Sequence, residues 1–275
     1  MKEGFIKSKD NLRLFWQSHG PASVAPKAQI FLLHGYAEHL GRHLELAESL
    51  SGEGYSVHAL DCRGHGQSDG RRGHCDDFSE YVDDFDLFWS KQESALSIPR
   101  FVFGHSHGSL VLLEWLRTRQ RVLSGAIFAS PYLQLAFRPP AHKLLAAKIV
   151  GRLVPWLPFG NELKPEDLTR DVIEQEKAAA DPLNNQVTTP RWFLESSRAQ
   201  KQVIASASEF HQPMMLFCGS EDPIAAPSAT ETFFQSLGSP DKTFKLYAGM
   251  RHETLKEIGK EEVYGDVSNW ISARL

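Results

Sequence analysis

The chain has 275 residues, 41% of them hydrophobic and 23% charged, a composition that excludes disordered, fibrous and membrane-embedded classes. Its formal net charge of −4, with no long run of one sign, removes the electrostatic basis for nucleic-acid binding. Cys62, Cys75 and Cys218 are odd in number and irregularly spaced, so no metal site is expected, and buried thiols in a reducing compartment are. The opening residues, MKEGFIKSKDNLRLFW, carry charge throughout and lack the apolar core of a signal peptide. No apolar run approaches the roughly 20 residues of a spanning helix. A soluble cytoplasmic protein is expected, with contact to a membrane surface at most peripheral.

In chain order, residues 4–7 and 12–18 flank Lys9-Asp10-Asn11 and read as a hairpin. Residues 28–33 (AQIFLL) form a buried strand running into His34-Gly35. A helix over 42–50 and a strand over 56–60 follow. Residues 78–89 place aromatics and aspartates at helical spacing, and 100–103 read as a strand. A strongly apolar helix over 109–119 leads to a strand over 125–129. Over 132–190 no convincing strand is seen and prolines are frequent, which predicts a helical insertion. Alternation resumes with a helix over 191–209, a strand over 214–218, a helix over 228–237, a strand over 243–247 and a C-terminal helix from Glu261. Strands alternating with helices predict a mostly parallel sheet covered on both faces. The expected division is a core from 1–131 and 191–275, with a cap over 132–190.

Gly-x-Ser-x-Gly occurs twice, at Gly66–Gly70 and at Gly104–Gly108. A nucleophile elbow needs a strand before the serine and a helix after it, with glycines where side chains would collide with both. Ser106 has that setting, between FVF and SLVLLEWLRTR. Ser68 lies in a polar glycine-rich loop and reads as a turn residue. Serine needs a positioned base, and on this arrangement the chain order is serine, acid, histidine. His252 is the one histidine after the strand at 214–218, and it follows the last strand. The acid belongs on the loop Gly219-Ser220-Glu221-Asp222-Pro223, where Asp222 is favoured, Glu221 is its rival, and Asp241 is weaker because it precedes its strand. The oxyanion hole requires two backbone N–H groups, assigned to His107 after the nucleophile and to Tyr36 after the strand at 28–33.

These residues carry a specific resemblance. The sequence resembles the monoacylglycerol lipase and lysophospholipase branch of the α/β hydrolases. The shared landmarks are His34-Gly35-Tyr36-Ala37-Glu38-His39 with Gly41-Arg42, then Asp61-Cys62-Arg63-Gly64-His65-Gly66-Gln67-Ser68, then Gly104-His105-Ser106. Ser130-Pro131, Ala180-Asp181-Pro182-Leu183, Gly219 to Pro223 and Arg251-His252-Glu253 follow in the same order. The resemblance implies an α/β-hydrolase fold with a mostly parallel eight-stranded sheet and a helical cap. It implies hydrolysis of an ester joining one fatty acyl chain to glycerol or a glycerol-derived head group, without a cofactor. Glu38 and Arg42 match positions near the polar end of the pocket, and they equally read as an ion pair four residues apart at a helix start. Four positions depart from the family pattern: Tyr36 and Ala37 stand where glycine or alanine is frequent, Leu255 replaces a second histidine, and His107 replaces a frequent methionine.

Between Pro131 and Asn161 no acidic residue occurs, whereas Arg138, Lys143, Lys148 and Arg152 are basic. Leu145, Ala146, Ile149, Val150, Leu153 and Val154 are expected on one helical face, with Trp156 and Phe159 following. Such a helix suits an anionic lipid surface or packing onto the core. A broad short-chain carboxylesterase is the alternative enzyme. An iminopeptidase is disfavoured because no acidic cluster is evident to hold a substrate amino terminus. Dehalogenase and epoxide hydrolase chemistry would place aspartate at position 106. A catalytically dead ligand-binding homologue would lack a triad residue, and none is missing.

Overall fold

The computed structural model describes residues 1–21, 25–92 and 98–275 and, for Lys143, the backbone alone. β1 (Lys2–Lys7) and β2 (Arg13–His19) form the expected hairpin, with Ile6 opposite Leu14 and Asn11 supplying a positive φ of 69° in the turn. β3 (Gln29–Leu33) is buried along its length. The helix expected from residue 42 begins instead with a 3-10 turn, Leu40–His43, and becomes α1 at Leu44–Gly52. The reason is local: Asp61 takes the Leu40 N–H and the His39 ring takes the Gly41 N–H, which fixes a tighter turn first. β4 (Ser56–Leu60), α2 (Ser79–Gln92), β5 (Arg100–His105), α3 (His107–Arg119) and β6 (Gly125–Ala129) follow.

The stretch 132–190 holds α4 (Ala141–Leu153), β7 (Phe159–Gly160), α5 (Pro165–Leu168), α6 (Val172–Ala180) and β8 (Val187–Thr188). β7 and β8 pair antiparallel, which corrects the expectation that no strand occurs there. Two-residue strands leave no periodicity to read, and side chains help to hold this pair: Asn161 donates to the Asn185 carbonyl and the Tyr36 hydroxyl donates to that of Val187. α7 (Pro190–Ala205) ends four residues earlier than expected, in a 3-10 turn at Ala207–Glu209. β9 (Met214–Gly219), α8 (Pro227–Ser236), β10 (Lys242–Tyr247) and α9 (Lys260–Ser272) complete the chain.

The eight strands of the main sheet lie in the order β1-β2-β4-β3-β5-β6-β9-β10. β2 meets β1 and β4 antiparallel, and every other pairing is parallel. Alternate strand residues feed two cores. Phe31, Val102, Phe128 and Leu216 pack with Phe85, Phe88 and Trp115 from α2 and α3 on one face. Ile30, Phe103, Ile127 and Phe217 pack with Leu46 and Val267 from α1 and α9 on the other. Burying each such side chain contributes about 1.5–3 kcal/mol. With both faces covered, the carboxyl edge of the parallel strands is left for the loops that build a site. The three cysteines are buried and unpaired. Among the described residues no helix is long and apolar enough to cross a membrane.

Candidate active site

Ser106 stands between β5 and α3 with φ 49° and ψ −115°, a conformation costing about 1–3 kcal/mol in a non-glycine residue. The surroundings impose it. Its N–H donates to the Ala129 carbonyl at 2.9 Å, and its own carbonyl accepts from Ser109 and Tyr132 at 3.0 and 3.1 Å. Side chains at the flanking glycines would meet main chain: a Cβ on Gly104 would lie 2.6 Å from Ser109 Cα, and one on Gly108 2.3 Å from the Leu33 carbonyl oxygen. The turn therefore lifts Ser106 above the sheet edge only because both positions lack a side chain.

His252, on the loop after β10, places Nε2 2.9 Å from Ser106 Oγ and Nδ1 2.8 Å from Asp222 Oδ2. The second oxygen of Asp222 accepts the Ile224 and Ala225 N–H groups at 2.8 and 2.9 Å, so the carboxylate is aimed by main chain. All three side chains are buried. Glu221 is exposed, and Asp241 is turned to Arg274 at 3.0 Å. Of the three candidate acids, Asp222 is the one that lies within hydrogen-bond distance of His252. Ser68 lies elsewhere: its hydroxyl donates to the Asp61 carbonyl and accepts the Phe15 N–H, tying a loop to β2.

Tyr36 follows Gly35, where a Cβ would lie 3.1 Å from Ser106 Cβ, so this loop runs directly against the serine. His107 is the first residue of α3. The positions expected to supply the two backbone donors therefore both adjoin Ser106, Tyr36 through the loop that runs against it and His107 as the next residue in the chain.

Glu38 and Arg42 are both buried, and they differ in where they face. Glu38 reaches the cavity wall, yet its Oε1 already accepts from the Gly35 N–H, from His105 Nδ1 at 2.7 Å and from His43 Nε2 at 3.1 Å. Burial works to raise this carboxyl, but His43 and His105 outweigh it and hold Glu38 well below the usual carboxylate range. Burial likewise works to lower His105, and Glu38 reverses it, leaving His105 raised. Arg42 does not line the cavity. It spans from Glu253 at 2.6 Å to Glu38 at 3.6 Å, so the placement expected at the polar end of the pocket is corrected to a buried ion pair of the helix-start kind.

A cavity of about 640 Å³ opens over Ser106 and His252, within the range of about 300–1,000 Å³ that holds small-molecule ligands. Its far walls come from the insertion and α7, with Leu135, Leu144, Val150, Phe159, Leu163 and Phe193 among them. Glu38, Glu162, Asp167 and Glu253 also line it. Of these, Glu38 and Glu253 are paired with buried cations or imidazoles. Four contributors escaped the sequence reading. Ser130 donates to the His252 carbonyl at 2.6 Å, His105 grips Glu38, Glu253 holds Arg42, and Trp192 touches the elbow. Ser130, His105 and Glu253 stand inside motifs already noted; for Trp192 only long-range contact identifies the role.

A family model described as serine aminopeptidase, S33, matches residues 24–259. The monoglyceride lipase of Homo sapiens is 32% identical over 266 residues, covering 94% of this chain and 86% of that one. An uncharacterized abhydrolase domain-containing protein of Dictyostelium discoideum is 31% identical over 257 residues; these are 92% of this chain, which spans only 27% of that longer protein. Among solved structures, the monoacylglycerol lipase of Paleococcus ferrophilus superposes with a TM-score of 0.87 at 28% identity, covering 95% of this chain and 99% of that one.

Proposed function

This chain belongs to the serine aminopeptidase S33 family of α/β hydrolases, and from that premise we propose that it hydrolyses carboxylic esters of single-acyl glycerol lipids, monoacylglycerol or lysophospholipid, through an acyl-enzyme. The observation that carries this reading is the apolar cavity ending on Ser106 Oγ. Ser106 Oγ attacks the ester carbonyl while His252 Nε2 takes its proton, and Asp222 stabilises the imidazolium at Nδ1. The oxyanion is received by the Tyr36 and His107 N–H groups. The carbon–oxygen ester bond then breaks, and the alcohol leaves with the proton from His252. Water, deprotonated by His252, cleaves the acyl-enzyme and restores Ser106. Residues 132–190 act as the cap that shapes the acyl channel.

The test is a panel of monoacylglycerols, lysophospholipids, 4-nitrophenyl esters of graded chain length and aminoacyl arylamides. Each methylene buried in the channel contributes about 0.8 kcal/mol, so kcat/KM is expected to rise roughly fourfold per added methylene until the channel is full. A maximum at acetate or butyrate would instead establish a short-chain carboxylesterase, and preferred cleavage of aminoacyl arylamides would establish a peptidase. The head group showing the higher kcat/KM at matched chain length separates monoacylglycerol from lysophospholipid.

A peripheral membrane contact through the cap has its own support. α4 turns Leu144, Ala147 and Val150 toward the cavity, but Leu145, Ile149 and Leu153 are 59, 52 and 71% exposed. The apolar residues therefore divide between two sides rather than forming the single face expected. Exposed Lys148 and Arg152 flank the outer stripe, Trp156 is half exposed beyond it, and the Lys143 side chain lies outside the described residues. Each cation near an anionic surface is worth about 1 kcal/mol. Lys148→Gln with Arg152→Gln is expected to weaken partitioning onto phosphatidylserine-containing vesicles roughly thirtyfold, as read by co-sedimentation. Unchanged partitioning would refute the contact.

A further inference from the structure

We propose that Trp192 is a positioning residue for both backbone donors of the oxyanion hole, an inference that rests on the hydrolase reading above. The two positions that depart from the family pattern beside the elbow, Tyr36 and His107, meet on this one indole. Its ring stacks on Tyr36 with centroids 3.8 Å apart and planes 30° apart. Its Nε1 donates to His107 Nε2 at 3.3 Å. An N–H on the main chain is aimed by whatever holds its own residue, and here both residues are held by side chains gripping a common partner.

The partner is itself fixed. Trp192 is 6% exposed and lies in the first turn of α7, where the Thr189 hydroxyl accepts its N–H while donating to the Gly73 carbonyl. Tyr132, whose N–H binds the Ser106 carbonyl, lies parallel to the indole within 8° at 6.1 Å. The other side of His107 is closed edge-on by Tyr81 at 4.9 Å and Phe78 at 5.6 Å. Burial, with His65 nearby, pushes the His107 imidazole well below its ordinary pKa, so it stays neutral and its Nε2 lone pair remains available to the indole. The far end of the Tyr36 ring is anchored as well, its hydroxyl donating to the Val187 carbonyl in β8 at 2.7 Å. α4 packs on the same helix, and Gly151 permits the approach: a Cβ there would lie 2.7 Å from Leu194 Cδ1. The contact that sets the donors is thus carried by a helix that also supports the cap.

Losing the aim of a single oxyanion donor typically costs ~10²–10³ in turnover. Trp192→Ala is expected to lower kcat about 10²-fold with KM within about threefold. Inhibition by a trifluoromethyl ketone, which forms the tetrahedral adduct on Ser106, should weaken in parallel, while affinity for a non-hydrolysable ether analogue changes by no more than about threefold, the share that Trp192 has as one of many residues lining the cavity. Trp192→Phe keeps a ring over Tyr36 and loses only the N–H, so a loss of about fivefold is expected. In a His107→Met background, Trp192→Phe should cost nothing further, because the bond it removes is already gone. The inference is overturned if Trp192→Ala raises KM alone, if trifluoromethyl ketone affinity does not follow kcat, or if Trp192→Phe costs the same in both backgrounds. Should Trp192→Ala fail to fold, the Trp192→Phe cycle decides alone. Ser106→Ala tests the hydrolase reading independently, so failure of the two ideas is distinguishable.

Discussion

Replacing Ser106 by alanine is expected to lower kcat on a long-chain monoacylglycerol by about 10⁶-fold while leaving substrate affinity nearly unchanged. The substitution deletes one atom, Oγ, which His252 Nε2 meets at 2.9 Å. Without it the imidazole has no nucleophile to deprotonate, and what remains is binding and the oxyanion donors, worth about 10³–10⁴ over water. The cavity walls do not depend on Oγ, so binding of a non-hydrolysable ether analogue should change less than threefold. The backbone at 106 already adopts positive φ, and alanine meets the same cost as serine there, so stability should hold. Single-turnover hydrolysis, with covalent labelling by a fluorophosphonate as a second readout, checks this. Residual turnover within tenfold of the parent, or labelling that survives, would overturn the role of Ser106.

Asp222→Asn should lower kcat by about 10⁴-fold, and Glu221→Gln should leave it within twofold. One oxygen of Asp222 is committed to the Ile224 and Ala225 N–H groups. An asparagine must keep its only oxygen there, which turns its NH₂ toward His252 Nδ1. The imidazole then has to accept at Nδ1 and carry its proton on Nε2, the tautomer that cannot take a proton from Ser106. Glu221 is exposed, its N–H donates to the Met250 carbonyl, and among the described residues its carboxylate makes no bond comparable to that of Asp222. Steady-state kinetics at matched pH separates the two; a large loss from Glu221→Gln would reassign the acid.

Strands were legible because the central ones are buried on both faces and read as continuous apolar runs, QIFLL and GAIFA among them. Ser106 and His252 were legible for different reasons: the serine from strand, turn and helix around it, the histidine from chain order. For the acid the sequence favours Asp222 without removing Glu221, since adjacent carboxylates look alike until main-chain donors hold one of them. For Arg42 the sequence leaves a pocket role and an ion pair with Glu38 equally open, because the partner that decides between them, Glu253, stands 211 positions away, where no local pattern reports it. Trp192 escaped for the same reason, an aromatic in a helix reading as packing. The β7–β8 pair is too short to register as periodicity. The division of apolar residues between the two sides of α4 depended on what the helix lies against.

The three buried thiols bear on how this protein meets electrophiles. Burial, aided by the carboxylates nearby, pushes the Cys62 and Cys75 thiols well above the ordinary range and Cys218 up to about 12. None of them offers thiolate at neutral pH, and thiolate is the form that reacts. A carbamate, phosphonate or lactone is therefore expected to react at Ser106 without competition from cysteine. Stoichiometric titration with such a reagent is therefore expected to count Ser106 and none of the three thiols.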